Sequence, residues 1–320
     1  MNGSAAPRPH KRLGEGDHGK TLAAMVRAAC PEVSWAKARE LCRTGRVRVD
    51  GETVFDGAQR LATGSTVEVD QTAPRRACPV LDPTRIVFND GGLVVVDKPA
   101  GLDVVSADAR TQPDSLTNRL ALTLRSPRAG ATEPFPLYHL DKALTGLVAF
   151  ATDRQARRTL ARQFREQTPV RRFSVLVWGQ ATAGRIDRPL HTDSSGRLHV
   201  WRGEGQPPRQ VRSATTFVRV EATLNGATLL VCESHGLRRD QLQLHLAFAG
   251  TPVVGERRYG VPALEPAQAQ IAAQQSRPMI HAAFLALSHP RHNRLIHVTA
   301  PPPPTFTSTV AALRNAERRS

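Results

Sequence analysis

What this chain lacks narrows its class before any motif is read. Only four cysteines occur in 320 residues, Cys30, Cys42, Cys78 and Cys232, scattered without paired spacing. That excludes a disulfide framework and a zinc knuckle and fits a reducing compartment. No apolar run reaches the length of a bilayer span, and the opening MNGSAAPRPHKRLGEGDHGK has no apolar signal core, so a soluble cytoplasmic protein is expected. No internal repeat is evident. The marked deficit is in acid: 28 Asp and Glu face 44 Lys and Arg, a formal charge of +16. Such a surplus exceeds what solubility requires and points to a polyanionic partner, nucleic acid first. Arginine supplies most of it, and its planar fork suits phosphate and base edges better than an ammonium does.

Turn signals and hydrophobic periodicity divide the chain. Residues 1–10 are polar, without periodicity, and read as a disordered lead. TLAAMVRAAC carries Leu22, Met25, Val26 and Ala29 at helical spacing until Pro31, and Ser34 is placed to cap a second helix, WAKARELCRTG, ended by Gly45. Val47 and Val49 alternate with Arg46 and Arg48 before Asp50-Gly51, a tight hairpin turn, and LATGSTVEVD adds a strand. This small domain spans 11–71, and the proline-broken QTAPRRACPVLDPTR makes 72–84 a linker. From 85 to 310 strand patterns dominate, with RQARRTLARQFREQ the clearest helix. The lack of regular strand-helix alternation argues for α+β rather than a doubly wound sheet. APPPPTF reads as a rigid polyproline segment, and 311–320 as a basic tail.

The pattern RELCRTGRVRVDGETV followed by LATGSTVEV resembles the S4-like RNA-binding domain: a helix, a glycine, a basic strand, a turn, then a later glycine before the last strand. The residues agree physically with that use, since Lys37, Arg39, Arg43, Arg46 and Arg48 could form one basic surface against a phosphate backbone, with Arg12 at its start.

A sharper signal lies in YHLDKALTGLVAF, residues 138–150, where Asp141 stands among apolar residues just ahead of Thr145-Gly146 and a second apolar run. A buried acid is costly unless paired, so Asp141 is either functional or a carboxylate capping the turn at Thr145 or Gly146. The stretch resembles the central motif of the RluA-like pseudouridine synthases. Further matches extend the resemblance over residues 86–305: LVVVDKPAGLDV, RQFREQTPVRRFSVLVWG, HLAFAGTPVVGERRYG and MIHAAFLALSHP. It implies a mixed, mainly antiparallel sheet domain that isomerises uridine in structured, ribosomal or transfer, RNA, with neither metal nor organic cofactor.

The same resemblance implies roles and exposes departures. Asp141 occupies the nucleophile's position. The arginine that partners that acid in a Gly-Arg-Thr-His-Gln-Ile-Arg segment is replaced by Gln243 in GLRRDQLQLHL, which leaves Arg238 and Arg239 as the nearby cations. His139 stands where an arginine supports the flipped base, and extended backbone would put it on the side of Asp141. Phe173 stands where a tyrosine stacks beneath the uracil, keeping the ring and losing the hydroxyl. Two functions therefore stay open: a pseudouridine synthase with an altered site, or a non-catalytic RNA-binding relative that keeps the scaffold. A monomer is expected.

Other clusters carry less. His289, His292 and His297 have no acidic or cysteine partner in sequence, so a metal site is not expected. His281 reads as a hydrogen-bonded core residue. Cys232, Ser234, His235 and Asp240 share a triad's residue types, but triads assemble across a fold and local crowding has little weight. Packing is the default for Trp35, Trp178 and Trp201.

Overall fold

The computed structural model describes residues 10–73, 80–106, 114–124, 133–203, 211–234, 236–260 and 262–317. Residues 1–9 of the lead expected to be disordered and residues 74–79 of the expected linker fall outside them, whereas His10 begins the first strand. No helix among these residues is long and apolar enough to cross a membrane.

The first unit runs β1 (His10–Arg12), α1 (Leu22–Ala29), α2 (Trp35–Arg43), β2 (Val47–Val49), β3 (Glu52–Thr53), β4 (Thr66–Val69), with sheet order β1-β4-β2-β3. Local chemistry sets its corners. Ser34 Oγ accepts from the Lys37 amide at 3.2 Å, and Gly45 ends the second helix at φ +68°. Asp50 and Gly51 take φ of +52° and +85°, the paired left-handed conformation that a two-residue hairpin needs. Leu22, Met25, Val26, Leu41, Cys42, Val47 and Val67 form its own core.

The second unit contains β5 (Ile86–Asn89), β6 (Leu93–Lys98), α3 (Leu116–Thr123), β7 (Phe135–Pro136), β8 (Thr145–Ala151), α4 (Arg154–Arg165), β9 (Val170–Trp178), β10 (Gly184–Asp187), β11 (Leu190–Thr192) and β12 (Leu198–Val200). It continues with β13 (Thr215–Leu224), β14 (Ala227–Ser234), α5 (Gln241–Phe248), α6 (Pro266–Ala273), β15 (Ile280–Ser288), β16 (Leu295–Thr299) and α7 (Pro304–Glu317). Ten strands make one sheet along the path β10-β13-β14-β9-β15-β8-β6-β5, antiparallel except at β15-β8, with β16 beside β15 and β7 beside β8. The α+β class follows.

The unbroken apolar runs of β6 and β8 arise because both sheet faces are covered. Val94, Val96, Val148 and Phe150 join the core under α3 and α5, whereas Leu93, Val95, Leu147 and Ala149 join the one under α4. Three segments differ from the sequence reading. Leu81, within the expected linker, is 2% exposed in the main core, so the chain is already packed there. Residues 311–317 of the expected basic tail continue α7: Phe306 and Leu313 are buried against Leu176 and Trp178, which converts the end of the polyproline tract into a helix start. Trp35 is 47% exposed, not packed, whereas Trp178 is buried.

Gly146 shows how tightly the sheet is closed behind the Asp141 loop. Its φ is +111°, and a Cβ there would lie 2.4 Å from the Ala282 carbonyl oxygen on β15. Gly146→Ala is therefore expected to destabilise by about 3 kcal/mol, summing a left-handed backbone and overpacking against main chain. Gly184→Ala, whose Cβ meets open space, serves as control and should stay within about 0.5 kcal/mol in urea denaturation.

Candidate active site

Asp141 sits in the loop between β7 and β8, and its neighbours explain why the loop holds one shape. Leu140 and Leu144 are 2% and 5% exposed in the main core, so the acid is pinned on both sides. Beneath it the fully buried Lys98 donates to the carbonyls of Pro99, Leu102 and Lys142 at 3.0, 2.8 and 3.3 Å. Burial pulls the Lys98 pKa down to about 7, against the pull of Asp103 and Asp141. The Lys142 side chain bridges Asp56 of the first unit at 2.8 Å and Asp103 at 3.1 Å. One short segment thus joins the nucleophile candidate, the Lys98 loop and the N-terminal unit.

A cavity of about 630 Å³ opens in front of this loop, walled by Asp56, Gln59 and Arg60 on one side and by His139, Asp141, Gln243, Arg258 and Arg277 on the other. Six cations (Arg60, Lys142, Arg239, Arg257, Arg258, Arg277) line it against four acids (Asp56, Asp103, Asp141, Glu256). Its balance is basic, as an anionic ligand requires. Arg277 has no side-chain partner among the described residues, and burial lowers its pKa.

The partner of Asp141 is another acid. Its carboxyl meets that of Asp240, which precedes α5 in left-handed conformation at φ +53° and is 4% exposed. Arg258 grips Asp240 with two nitrogens, each at 3.0 Å, and the Tyr259 hydroxyl donates to it at 2.9 Å. Glu256 in turn accepts from the amides of Arg257 and Arg258 at 2.8 and 2.7 Å, fixing the turn that aims the guanidinium. Burial and the adjoining Asp240 carboxyl raise the Asp141 pKa well above the ordinary carboxylate range, while Arg258 and Arg239 oppose the rise. For Asp240 burial also acts upward, but Asp141, Arg258 and Tyr259 outweigh it and hold its pKa low. The pair therefore titrates as a unit, with the proton favouring Asp141.

The residues singled out from sequence divide on this geometry. His139 Nε2 lies 3.9 Å from Asp141, and burial lowers its pKa, so the ring is a weak electrostatic partner. Gln243 lines the cavity with Asp141, and its side chain has no hydrogen-bond partner among the described residues. Arg239 lines it too, whereas Arg238 Nε is committed to the Ser213 carbonyl at 2.7 Å. Phe173 requires correction: it is 1% exposed, lies within the main core beside the Leu140 and Leu144 layer, and is not part of the cavity wall. The expected single basic surface is also divided. Arg39 and Arg43 face a second cavity beside the first, Lys37 pairs with Glu40 at 3.1 Å, and Arg46 Nε binds the Ala73 carbonyl at 2.6 Å. Arg12 and Arg48 lie on β1 and β2, where Arg48 is the cross-strand neighbour of Glu68, and line neither cavity.

His281 is the hydrogen-bonded core residue expected. Its Nε2–H donates to the Ala300 carbonyl at 3.1 Å, leaving Nδ1 to accept from the Thr145 hydroxyl at 2.9 Å. Among the described residues no group of three or more His, Cys, Asp or Glu could hold a metal ion. The roles of Asp240, Arg258 and Tyr259 beside Asp141 escaped the sequence reading, which weighed Asp240 only among local triad residue types. The readable signal was that GLRRDQLQ gains an acid, Asp240, in the very segment where the arginine is lost at Gln243, while GERRYG holds an extra cation.

Comparison with known proteins bears on this fold and cavity. The structure resembles human RNA Pseudouridylate Synthase Domain Containing 4, with TM-score 0.59 and 21% identity over 72% of this chain and 93% of that one, which establishes a shared fold. Residues 92–248 match the family described as RNA pseudouridylate synthase. Ribosomal large subunit pseudouridine synthase D of Nitrosomonas europaea is 31% identical over 82% of this chain and 73% of its own. Dual-specificity RNA pseudouridine synthase RluA of Pasteurella multocida is 32% identical over 70% and 94%. The chain belongs to the RNA pseudouridine synthase family and is an isomerase of that kind.

The coupled carboxyls make a signed prediction. Activity that needs an Asp141 carboxylate should rise with pH through a limb lying above the ordinary carboxylate range. Asp240→Asn removes the neighbouring negative charge and tolerates the left-handed backbone, so the limb should move to lower pH by about one unit or more. Initial rates of tritium release from RNA labelled at uridine carbon 5, measured from pH 5 to pH 9, check it. An unmoved limb would show that Asp240 does not govern Asp141.

Proposed function

We propose that this chain converts uridine to pseudouridine in structured ribosomal RNA, with Asp141 as the nucleophile. The names of its relatives support the substrate class, since the Nitrosomonas europaea protein is named for the large ribosomal subunit. The observation that carries the reading is the position of Asp141 itself, on a loop pinned by Leu140, Leu144 and Lys98 at the wall of a basic cavity. The target base must leave its stack to enter such a cavity, and the surplus of cations supports the passage of a phosphate backbone beside it. The Asp141 carboxylate attacks carbon 1′ of the sugar and displaces the base nitrogen, the freed uracil turns, its carbon 5 displaces the carboxylate at carbon 1′, and carbon 5 then gives up its proton to water as the freed ring nitrogen gains one.

His139 then stands at the cavity mouth beside the extruded base, where a neutral imidazole can stack or hydrogen-bond without competing for Asp141. Gln243, with amide groups unspent on protein, is suited to read polar edges of the uracil. Arg239 and Arg277 are suited to phosphate. The N-terminal unit serves as an S4-like RNA-binding domain, a reading supported by its helix-hairpin order and by Arg39 and Arg43 along the inter-unit cleft.

The test is tritium release from ribosomal RNA carrying label at carbon 5 of uridine, with Asp141→Ala as control. The wild-type chain should release label, and Asp141→Ala should lose at least about a thousandfold in rate while binding the RNA equally. Release by both proteins alike would remove Asp141 from the nucleophile's role. Release from transfer RNA and not from ribosomal RNA would overturn the substrate class.

A further inference from the structure

A second cavity, about 640 Å³, lies between the N-terminal unit and the catalytic unit, and it shares Asp56, Ala58, Gly101, Asp103 and Lys142 with the first. The two are therefore adjoining parts of one trough. Trp35, Arg39 and Arg43 line its far wall at four-residue steps along α2, which places all three on one helix face. Trp35 is 47% exposed on this wall, which leaves much of the indole open to a ligand. The ring is nonetheless held: the Arg27 guanidinium sits 4.8 Å above it, and Arg27 Nε is itself tied to the Val33 carbonyl at 3.0 Å. A rigid, accessible indole beside two arginines is what unpaired nucleic acid is held by, because every base has a π face and every nucleotide a phosphate.

The acids of this trough do not cancel that character. Asp56 and Asp103 are both engaged by Lys142, Asp114 is gripped by Arg119 at 2.6 and 2.8 Å, and Glu40 pairs with Lys37. Arg39 has no partner among the described residues.

The geometry points to a flanking-nucleotide subsite: Trp35 stacks on an unpaired base next to the target uridine, and Arg39 receives the adjoining phosphate. The inference rests on the functional reading above, since it takes the target uridine to occupy the cavity at Asp141. It adds that the substrate segment is single-stranded across at least the neighbouring nucleotide. The Lys142 bridge to Asp56 then has a second consequence, because it keeps the stacking wall and the nucleophile loop in fixed register.

Binding of a labelled dodecauridylate strand and of a twelve-pair RNA duplex at one salt concentration tests this without requiring turnover. Trp35→Ala should bind the single strand about five- to a hundredfold more weakly and the duplex as before. Trp35→Phe should keep most of the affinity while losing the quench of tryptophan emission that the single strand produces in the wild-type chain. Trp35 is outside the small core, so all three proteins should melt alike. Equal single-strand affinity of Trp35→Ala and wild type, or equal loss on strand and duplex, would overturn the subsite. Either result leaves the tritium-release test of Asp141 to stand or fall on its own.

Discussion

Two carboxyl groups in contact, one of them almost wholly buried, are a high-energy arrangement unless a proton or a cation separates their charges. Here both devices are in use. Arg258 and Tyr259 spend their hydrogen bonds on Asp240, so the proton rests more favourably on Asp141. Much of the surrounding architecture serves to keep that contact in place. Asp240 adopts a left-handed backbone to end the β14–α5 connection at this point, Glu256 shapes the turn that delivers Arg258, and Leu140 and Leu144 prevent the opposing loop from retreating. A single displacement would leave a buried charge uncompensated, which is why the contact constrains three separate segments.

The same loop carries the coupling between the two units. Lys98 holds the Lys142 backbone from below, and the Lys142 side chain reaches across to Asp56. The N-terminal unit also sends Gln59 and Arg60 to the cavity wall, and His18 contacts Arg257. It is thus part of the site rather than an appendage that only raises the local concentration of RNA. An ion pair that is two-thirds or more covered on both sides retains geometry that an exposed pair would lose to solvent.

Local signals in the sequence were sufficient wherever a short segment dictates its own form. The Ser34 cap, the Gly45 stop, the Asp50-Gly51 hairpin and the α4 periodicity depend on neighbours in the chain, and each is found where the pattern requires. The position of Asp141 was legible for the same reason, being framed by buried leucines and valines. What could not be read depends on segments far apart in sequence. Asp240 and Arg258 are remote from Asp141 along the chain and meet it only through the fold. Phe173 was misread for a related cause: it shares the core layer of Leu140 and Leu144, and only the packing above it sets how deep the ring lies. The α7 start within a proline tract was obscured because proline is tolerated in a first helical turn, and burial of Phe306 and Leu313 supplies what the local pattern lacks.

Replacing a directly paired arginine by a carboxyl-carboxyl-guanidinium relay changes more than the identity of one partner. An aspartate bound straight to a guanidinium stays ionised over the whole physiological range, since both attraction and hydrogen bonding favour the charged form. With Asp240 interposed, the guanidinium neutralises the nearer acid, and the farther one is left with burial acting against its charge. The site consequently holds a titratable proton on the Asp141 carboxyl, the group proposed as nucleophile. Proton occupancy there becomes sensitive to whatever enters the cavity. A phosphate brought near Arg239 or Arg258 weakens the cationic support and favours the protonated acid, and a base seated against Asp141 acts in the same direction by excluding water. The second acid is thereby more than a structural neighbour: its carboxyl is one of the causes that raise the pKa of the first.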